Sequence, residues 1–173
     1  MAKRDFSAAY DEHIWQVYGF FAYRLFDRTQ AEDLTQLTFE RAFRAWNRYD
    51  DERASVLTWL MAIARNLLID HLRGDRSNTQ RPLEHRDDQL VDRAAEGPDL
   101  GLAPDLELAL EALSDREREI IGLRFGADLT GPQIANLTGL TLASVQQILS
   151  RSLRRMRARM ETADAARPGR APR

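Results

Sequence analysis

The side chains with the clearest chemistry in this sequence are arginines that follow a stretch without carboxylates. Residues 129–160 contain no Asp or Glu, and the segment ends in five arginines: Arg151, Arg154, Arg155, Arg157 and Arg159. Guanidinium groups bind phosphate oxygens, and a cluster of them on one helix attracts a polyanion. The segment therefore predicts contact with nucleic acid.

A helix-turn-helix pattern precedes these arginines in residues 131–149. Pro132 suits the first turn of a helix, and Gly139 suits a tight turn that needs a positive φ angle. Thr141 can cap the second helix, with Ser144 in its first turn. An ordinary helical hairpin with a solvated basic face is the alternative, but the loss of every carboxylate favours DNA binding.

The two halves of the second helix predict different contacts. In the usual geometry its first half enters the major groove, and the outward residues there are Gln146, Gln147 and Ser150. Glutamine can pair with adenine through two hydrogen bonds, and serine can contact several bases. The later arginines would contact phosphates, which gives salt-dependent affinity without base choice.

The first half of the chain brings aromatic side chains close to cations. The set comprises Phe43, Arg44, Trp46, Arg48, Tyr49, Arg53, Trp59, Arg65 and Arg73. Such a mixture can stack on unpaired bases, although the spacing alone favours aromatics packed in a core. Asn66 and Asp70 lie one helical turn apart and share a face with Arg73, where an Asp–Arg pair would also be ordinary surface support.

Helices must position these groups, because no part of the chain shows the alternation of a β-strand. Three-and-four spacing of apolar residues predicts a helical domain in residues 5–73. Residues 74–104 lack a sustained period and predict a flexible linker. A second helical domain with the helix-turn-helix is predicted in residues 105–160, and a disordered tail in 161–173. We expect an all-α fold made of two small domains.

Residues that cap or stop helices refine the predicted helix boundaries. Thr29 and Glu32 have the spacing of a capping box, and so do Ser114 and Glu117. Each pair predicts the start of a helix. Gly74 predicts the end of the third helix.

Composition excludes several classes of protein. The net charge is −2, yet residues 74–104 hold four arginines against seven carboxylates, so an acidic linker masks the basic end. The chain has no Cys and three scattered histidines, and we therefore expect no disulfide, no metal site and no cofactor. It also lacks an apolar run long enough for a membrane span and an apolar signal core, which predicts a cytoplasmic protein without membrane insertion.

Three segments resemble the extracytoplasmic-function sigma factors of bacterial RNA polymerase. AEDLTQLTFERAFR (residues 31–44) is similar to their second conserved region, and WLMAIARNLLIDHLR (residues 59–73) to the part that melts and reads the −10 element. LSDREREIIGLRFGADLTGPQIANLTGLTLASVQQILSRSLRRMR (residues 113–157) resembles their fourth region, which reads the −35 element. The resemblance covers both predicted domains and leaves out the linker and the tail.

The resemblance implies contacts with core polymerase in the first domain. Asp33, Gln36 and Phe39 would face the clamp helices of the β′ subunit, supported by Leu34 and Leu37. The β subunit is implied as a further partner.

The resemblance also implies two sets of promoter contacts. The loop at residues 49–55 would form a pocket for a flipped base, and the −10 set would comprise Tyr49, Asp50, Arg53, Trp59, Arg65, Asn66, Asp70 and Arg73. The −35 set would comprise Thr141, Ser144, Gln146, Gln147, Ser150, Arg151, Arg154 and Arg155. Family members commonly carry Lys or Arg near position 146 and Arg at 148, so Gln146 and Ile148 imply a different −35 preference.

These residues imply a promoter-specificity subunit that binds core polymerase and promoter DNA, catalyses nothing itself and is held inactive by an anti-sigma protein. A stand-alone DNA-binding regulator is the alternative, although it leaves the first domain without a role. The sequence shows no phosphate loop, nucleophile–base pair or metal-linked carboxylate pair that would favour an enzyme acting on nucleic acid.

Overall fold

The computed structural model describes residues 5–78 and 102–165, and every regular element within these ranges is helical. The N-terminal region consists of α1 (Phe6–Leu25), α2 (Arg28–Ala45), a 3-10 turn (Trp46–Arg48) and α3 (Val56–Asn78). The C-terminal region consists of α4 (Pro104–Glu111), α5 (Asp115–Ile121), a π-helical segment (Gly122–Gly126), α6 (Gly131–Thr138) and α7 (Leu142–Ala165). The expectation of an all-α fold with two helical regions is confirmed.

Helix starts follow side-chain capping, with one correction. Ser114 and Glu117 form the predicted capping box at α5, and Thr130 forms another with Gln133 at α6. The predicted cap at Thr29 is wrong. Asp27 caps α2 instead, because its extended backbone lets its carboxylate accept the Gln30 N–H at 3.0 Å.

Two helices end later than predicted. The backbone of α3 continues through Gly74 to Asn78, because Gly74 does not adopt the left-handed conformation that stops a helix. The last helix continues to Ala165, five residues into the predicted tail, and Thr162 Oγ1 bonds the Ala158 carbonyl there at 2.8 Å. Residues 79–101 of the predicted linker and 166–173 of the predicted tail lie outside the described residues.

The central element is α1, whose C-terminal half (residues 17–24) is buried on nearly all sides. Val17, Phe20 and Phe21 have no exposed surface, since α2 and α3 cover one side of α1 and the π-helical segment covers another. A helical segment that is apolar on most sides, as this half of α1 is, must pack against neighbouring helices.

One apolar cluster joins the two regions. Phe20 and Leu60 of the N-terminal region belong to the same buried cluster as Leu123, Ile134 and Val145 of the C-terminal region. A smaller cluster around Leu110, Ile121 and Met156 holds α4, α5 and α7 together. The helix-turn-helix is therefore packed against the first region in this structure.

Candidate nucleic-acid interface

The turn of the helix-turn-helix has the predicted geometry. Gly139 ends α6 with a φ of 72°, in the left-handed region where glycine carries no Cβ penalty. Thr141 Oγ1 accepts the Ser144 N–H at 3.1 Å and lies 2.8 Å from Ser144 Oγ. These two predicted DNA contacts therefore cap α7, and their hydroxyls are already engaged with each other.

The predicted base-reading residues share the outward face of α7. Gln146, Gln147 and Ser150 are all exposed, while Val145 on the opposite side is fully buried. The buried side fixes the rotation of the helix, so the amides and the hydroxyl point to solvent. This face can offer hydrogen bonds to base edges in a groove.

The predicted phosphate-binding arginines divide into two kinds. Arg151 and Arg154 are exposed, and Arg154 Nε bonds only weakly, at 3.3 Å, to the Ser150 carbonyl of its own helix. Arg155 instead pairs with Glu117 of α5, with its Nη1 2.7 Å from the carboxylate. Arg151 and Arg154 are therefore better placed than Arg155 for phosphates.

The start of α5 is an anionic cap beneath this basic helix. The Ser114 backbone N–H donates to Glu117 at 2.9 Å, and this bond is the main reason why the pKa of Glu117 lies below its ordinary value. Burial opposes the shift, while the Ser114 hydroxyl, Arg155 and Arg151 support it. Glu117 thus stays ionised and holds α7 against α5.

The predicted polymerase-binding residues on α2 are split between surface and core. Asp33 and Gln36 are exposed and Leu37 is half-buried, whereas Leu34 and Phe39 are 7% and 4% exposed. The Phe39 ring packs against Tyr10 and Phe6, with centroids 4.7 and 6.4 Å away. Phe39 therefore supports this face from inside and does not face outward as predicted.

Sequence reasoning missed Phe43 as a member of this face. Its side chain is 65% exposed, the largest exposure among the large apolar residues of the described ranges. It lies two helical turns after Gln36 and contacts Phe6 at 5.1 Å between centroids. This exposed ring extends the face toward the C-terminal end of α2.

The loop between α2 and α3 is braced by three aromatic rings. Trp46 stacks on Tyr49 with centroids 5.2 Å apart, and Trp59 packs against both rings. The Tyr49 hydroxyl donates to the Ala54 carbonyl at 2.9 Å, which closes the loop on itself. Asp50 and Arg53 remain exposed at the rim, so the loop presents polar groups over an aromatic base.

The outward face of α3 carries most of the remaining −10 candidates. Asn66, Asp70 and Arg73 are exposed and follow the helical spacing of a single stripe. Arg65 lies elsewhere: its Nε is 2.5 Å from Glu119 of α5, and its Nη1 donates to the Leu137 carbonyl of α6 at 3.3 Å. Arg65 therefore contacts the C-terminal region and is withdrawn from the stripe.

Residues 5–78 and 102–165 contain no cluster of His, Cys, Asp and Glu that could hold a metal ion. Within the same ranges, no helix is both long and apolar enough to cross a membrane.

Two family models match the chain. The model described as Sigma-70 region 2 matches residues 9–78, and the one described as Sigma-70, region 4 matches residues 109–158. Both matches fall where the structure has its two helical regions.

Several curated proteins are similar over most of the chain. The ECF RNA polymerase sigma factor RpoE of Cereibacter sphaeroides is 33% identical over 132 residues, which cover 76% of this chain and 73% of that protein. The ECF RNA polymerase sigma factor BldN of Streptomyces coelicolor is 30% identical over 152 residues, which cover 86% of this chain but only 58% of BldN.

Solved structures share the fold. The sigma factor RpoE from Bartonella quintana, solved in complex with the anti-sigma factor NepR, aligns with a TM-score of 0.70 at 21% identity and covers 91% of this chain and 97% of that one. CnrH, solved with the cytosolic domain of CnrY, aligns with a TM-score of 0.62 at 18% identity and covers 94% of this chain and 89% of that one.

Proposed function

The chain belongs to the sigma-70 family of RNA polymerase sigma factors, in its extracytoplasmic-function class, and from this membership we propose that it is a promoter-specificity subunit of RNA polymerase. It binds core polymerase through residues 5–73 and the −35 element through residues 105–160. It contributes contacts and no catalytic chemistry, and it works in the cytoplasm, where the promoter DNA is.

The observation that carries the proposal is the difference between the outward faces of α2 and α7. The face of α2 presents Asp33, Gln36 and Phe43, a mixture of a carboxylate, an amide and an exposed ring. Such a mixture suits contact with a protein, and the Asp33 carboxylate disfavours a phosphate beside it. Over residues 142–160, the exposed polar side chains of α7 are amides, hydroxyls and guanidinium groups without a carboxylate among them, and such groups suit DNA.

Contacts with polymerase centre on the exposed residues of α2. Asp33 and Gln36 bind the β′ clamp helices, and Leu37 lies at the edge of the contact. Leu34 and Phe39 hold the helix in place from within the core. The β subunit is a further partner.

Promoter melting depends on the aromatic-based loop and on α3. A flipped base needs contacts that offset an unstacking cost of a few kcal/mol. The braced loop at residues 49–55 and the stripe at Asn66, Asp70 and Arg73 supply polar groups for that purpose, and Trp59 forms part of the loop's aromatic base.

Recognition of the −35 element depends on α7. Gln146, Gln147 and Ser150 read bases, and Arg151 and Arg154 bind phosphates. An anti-sigma protein regulates the subunit by covering its polymerase-binding surface. The aligned sigma factor of Bartonella quintana was itself solved in complex with an anti-sigma factor.

Run-off transcription tests the proposal. The purified chain is mixed with core polymerase that carries no other sigma factor, and transcripts are scored across a panel of candidate promoters. We expect promoter-dependent transcripts and co-migration of the chain with core polymerase. If the chain gives no transcript from any promoter of the panel and does not co-migrate with core polymerase, the proposal is contradicted. That outcome would favour a stand-alone DNA-binding regulator.

A double variant tests the interface itself. Asp33→Ala with Gln36→Ala should abolish binding to core while DNA binding by the C-terminal region persists. The matched control is Ser7→Ala with Asp11→Ala. Like the test variant, it removes one neutral polar group, here a hydroxyl, and one carboxylate from an exposed helix face. Normal binding by the first variant would show that the interface lies elsewhere.

A further inference from the structure

The first turn of α7 presents apolar side chains where base contacts are made. The helix begins at Leu142, whose side chain is 41% exposed, and the neighbouring Ala143 is exposed as well. The two hydroxyls at this end, on Thr141 and Ser144, lie 2.8 Å apart and bond to each other. When a helix-turn-helix docks in the major groove, the first residues of its second helix reach the base edges. An exposed leucine therefore stands at a base-reading position.

Leu142 is held against the first helix of the helix-turn-helix. A Cβ built on Gly131, the first residue of α6, would lie 3.0 Å from Leu142 Cδ1. The glycine thus leaves the space that the leucine methyl group uses. A side chain that is positioned before binding loses less rotamer freedom when it meets its ligand. Leu142 is therefore prepared for a contact on its exposed side.

The chemistry of the major groove offers one match for this side chain. The base edges there carry hydrogen-bond donors and acceptors, and the C5-methyl group of thymine is their apolar feature. Gln146 lies one helical turn after Leu142 on the same flank of α7, and its exposed amide can pair with adenine. The leucine and the amide together match the two partners of a T·A base pair, or neighbouring pairs of that kind.

Exposure alone does not distinguish Leu142, because single apolar side chains are common on protein surfaces. Leu153 of the same helix is 44% exposed. It lies on nearly the same side of α7, eleven residues or about 16 Å further along the axis, next to Arg154 and Arg155. The two leucines thus differ in their place along the helix, and only Leu142 lies in the half that enters the groove.

We propose that Leu142 is a specificity-determining residue, which reads the C5-methyl group of a thymine in the −35 element. This role deepens the proposed function and rests on it in one respect, the entry of α7 into the major groove of promoter DNA. The contact is apolar and releases no counterions, so it adds base preference without adding to the salt dependence of binding.

Uracil substitution tests the contact, because deoxyuridine differs from thymidine only in the missing C5-methyl group. Duplexes are first enriched from a random library by the full-length chain, both alone and bound to core polymerase. Each thymine of the enriched duplex is then replaced singly by uracil. Fluorescence anisotropy compares the affinities of the thymine and uracil duplexes.

Four variants separate the contact from its surroundings. Leu142→Ala removes the proposed reading group, and Leu153→Ala is the matched control, since it removes the same atoms at a similarly exposed position of the same helix. Leu142→Met keeps an apolar side chain of similar volume. Gly131→Ala places a Cβ 3.0 Å from Leu142 Cδ1, so the flexible leucine must shift while the backbone keeps its place. Circular dichroism checks that each variant keeps its helices.

Uracil at one position should weaken binding of the wild type about fourfold, the factor expected when one methyl group is no longer buried. Leu142→Ala should bind the thymine and uracil duplexes of that position equally. Leu153→Ala and Leu142→Met should keep most of the wild-type difference. Gly131→Ala should reduce the difference, and it should have no further effect when combined with Leu142→Ala.

A Leu142→Ala variant that keeps the full preference for thymine would overturn the proposed role. A wild type that tolerates uracil at every position would overturn it as well, and so would failure to enrich any duplex with or without core polymerase. The run-off assay keeps this role apart from the proposed function. Methyl sensitivity without transcripts would count against the polymerase role, and transcripts without methyl sensitivity would count against Leu142 alone.

Discussion

Arg155 of α7 donates to the carboxylate of Glu117 at 2.7 Å and so joins the arginine-rich helix to the start of α5. The same carboxylate accepts the backbone N–H of Ser114 and completes the capping box. The Glu117 side chain thus both caps the start of α5 and holds α7 against it, so the position of α7 depends on the charge of this carboxylate.

Replacing Glu117 should therefore change how stability depends on pH. Because its folded pKa lies below the ordinary value of 4.5, its contribution is fully present above pH 4.5 and is lost as the pH falls through the lower, folded value. Glu117→Gln keeps the cap geometry, as Gln133 does in α6, but loses the charge. We expect a loss of about 0.5–1 kcal/mol at pH 7 and a smaller further loss on acidification than in the wild type.

Urea unfolding at a series of pH values between neutral and acid measures this effect. Glu111→Gln, at an exposed position of α4, is the control and should change the free energy of unfolding by less than about 0.5 kcal/mol. Parallel curves for wild type and Glu117→Gln would contradict the role assigned to this carboxylate.

The two kinds of contact on α7 should separate in binding measurements. If the exposed amide of Gln147 reads a base edge, Gln147→Ala should lose about 1–3 kcal/mol of discrimination at one base pair of a bound promoter. Arg154→Ala should weaken binding to all sequences and lower the salt slope by about one unit. Fluorescence anisotropy at several salt concentrations measures the base discrimination and the salt slope. If the two variants behave identically, the assignment of Gln147 to bases and Arg154 to phosphates is wrong.

Much of this interface could be predicted because it depends on one helix at a time. The rotation of α7 follows from Val145 in the core, so the exposure of Gln146, Gln147 and Ser150 follows from sequence spacing. The turn at Gly139 could be predicted for the same reason, since only local backbone chemistry decides it. The start of α2 was less predictable, because the side chains of Asp27 and Thr29 can both cap a helix N-terminus.

What could not be predicted depends on contacts between distant segments. Nothing near Arg65 in the sequence indicates that its guanidinium forms a salt bridge with Glu119. Nothing near Gly19 indicates that Gly126 will lie against it. Phe39 and Phe43 share a face of α2 by spacing, yet one is buried and the other exposed, because α1 covers only the first of them fully.

The buried position of Phe39 predicts a structural phenotype. Phe39→Ala removes a ring packed against Tyr10 and Phe6 and should lower the free energy of unfolding by about 3–5 kcal/mol. Gln36→Ala, at an exposed position of the same helix, should change it by less than about 0.5 kcal/mol and instead weaken binding to core polymerase. Urea unfolding measures the stability, and co-migration with core polymerase measures the binding. A Phe39→Ala variant that is stable but binds core polymerase more weakly would show that Phe39 contacts the polymerase directly.

The exposed position of Phe43 predicts the opposite phenotype. Its side chain is 65% exposed although the ring contacts Phe6, so Phe43→Ala should cost less than about 1 kcal/mol of stability. If the face of α2 binds core polymerase, a large ring at its end becomes buried on binding, and its loss should weaken affinity by about tenfold or more. Trp15→Ala is the control, since Trp15 is also a partly exposed aromatic of the N-terminal region but lies on α1. Titration of labelled protein with core polymerase compares the two variants, and an equal effect of both would remove Phe43 from the interface.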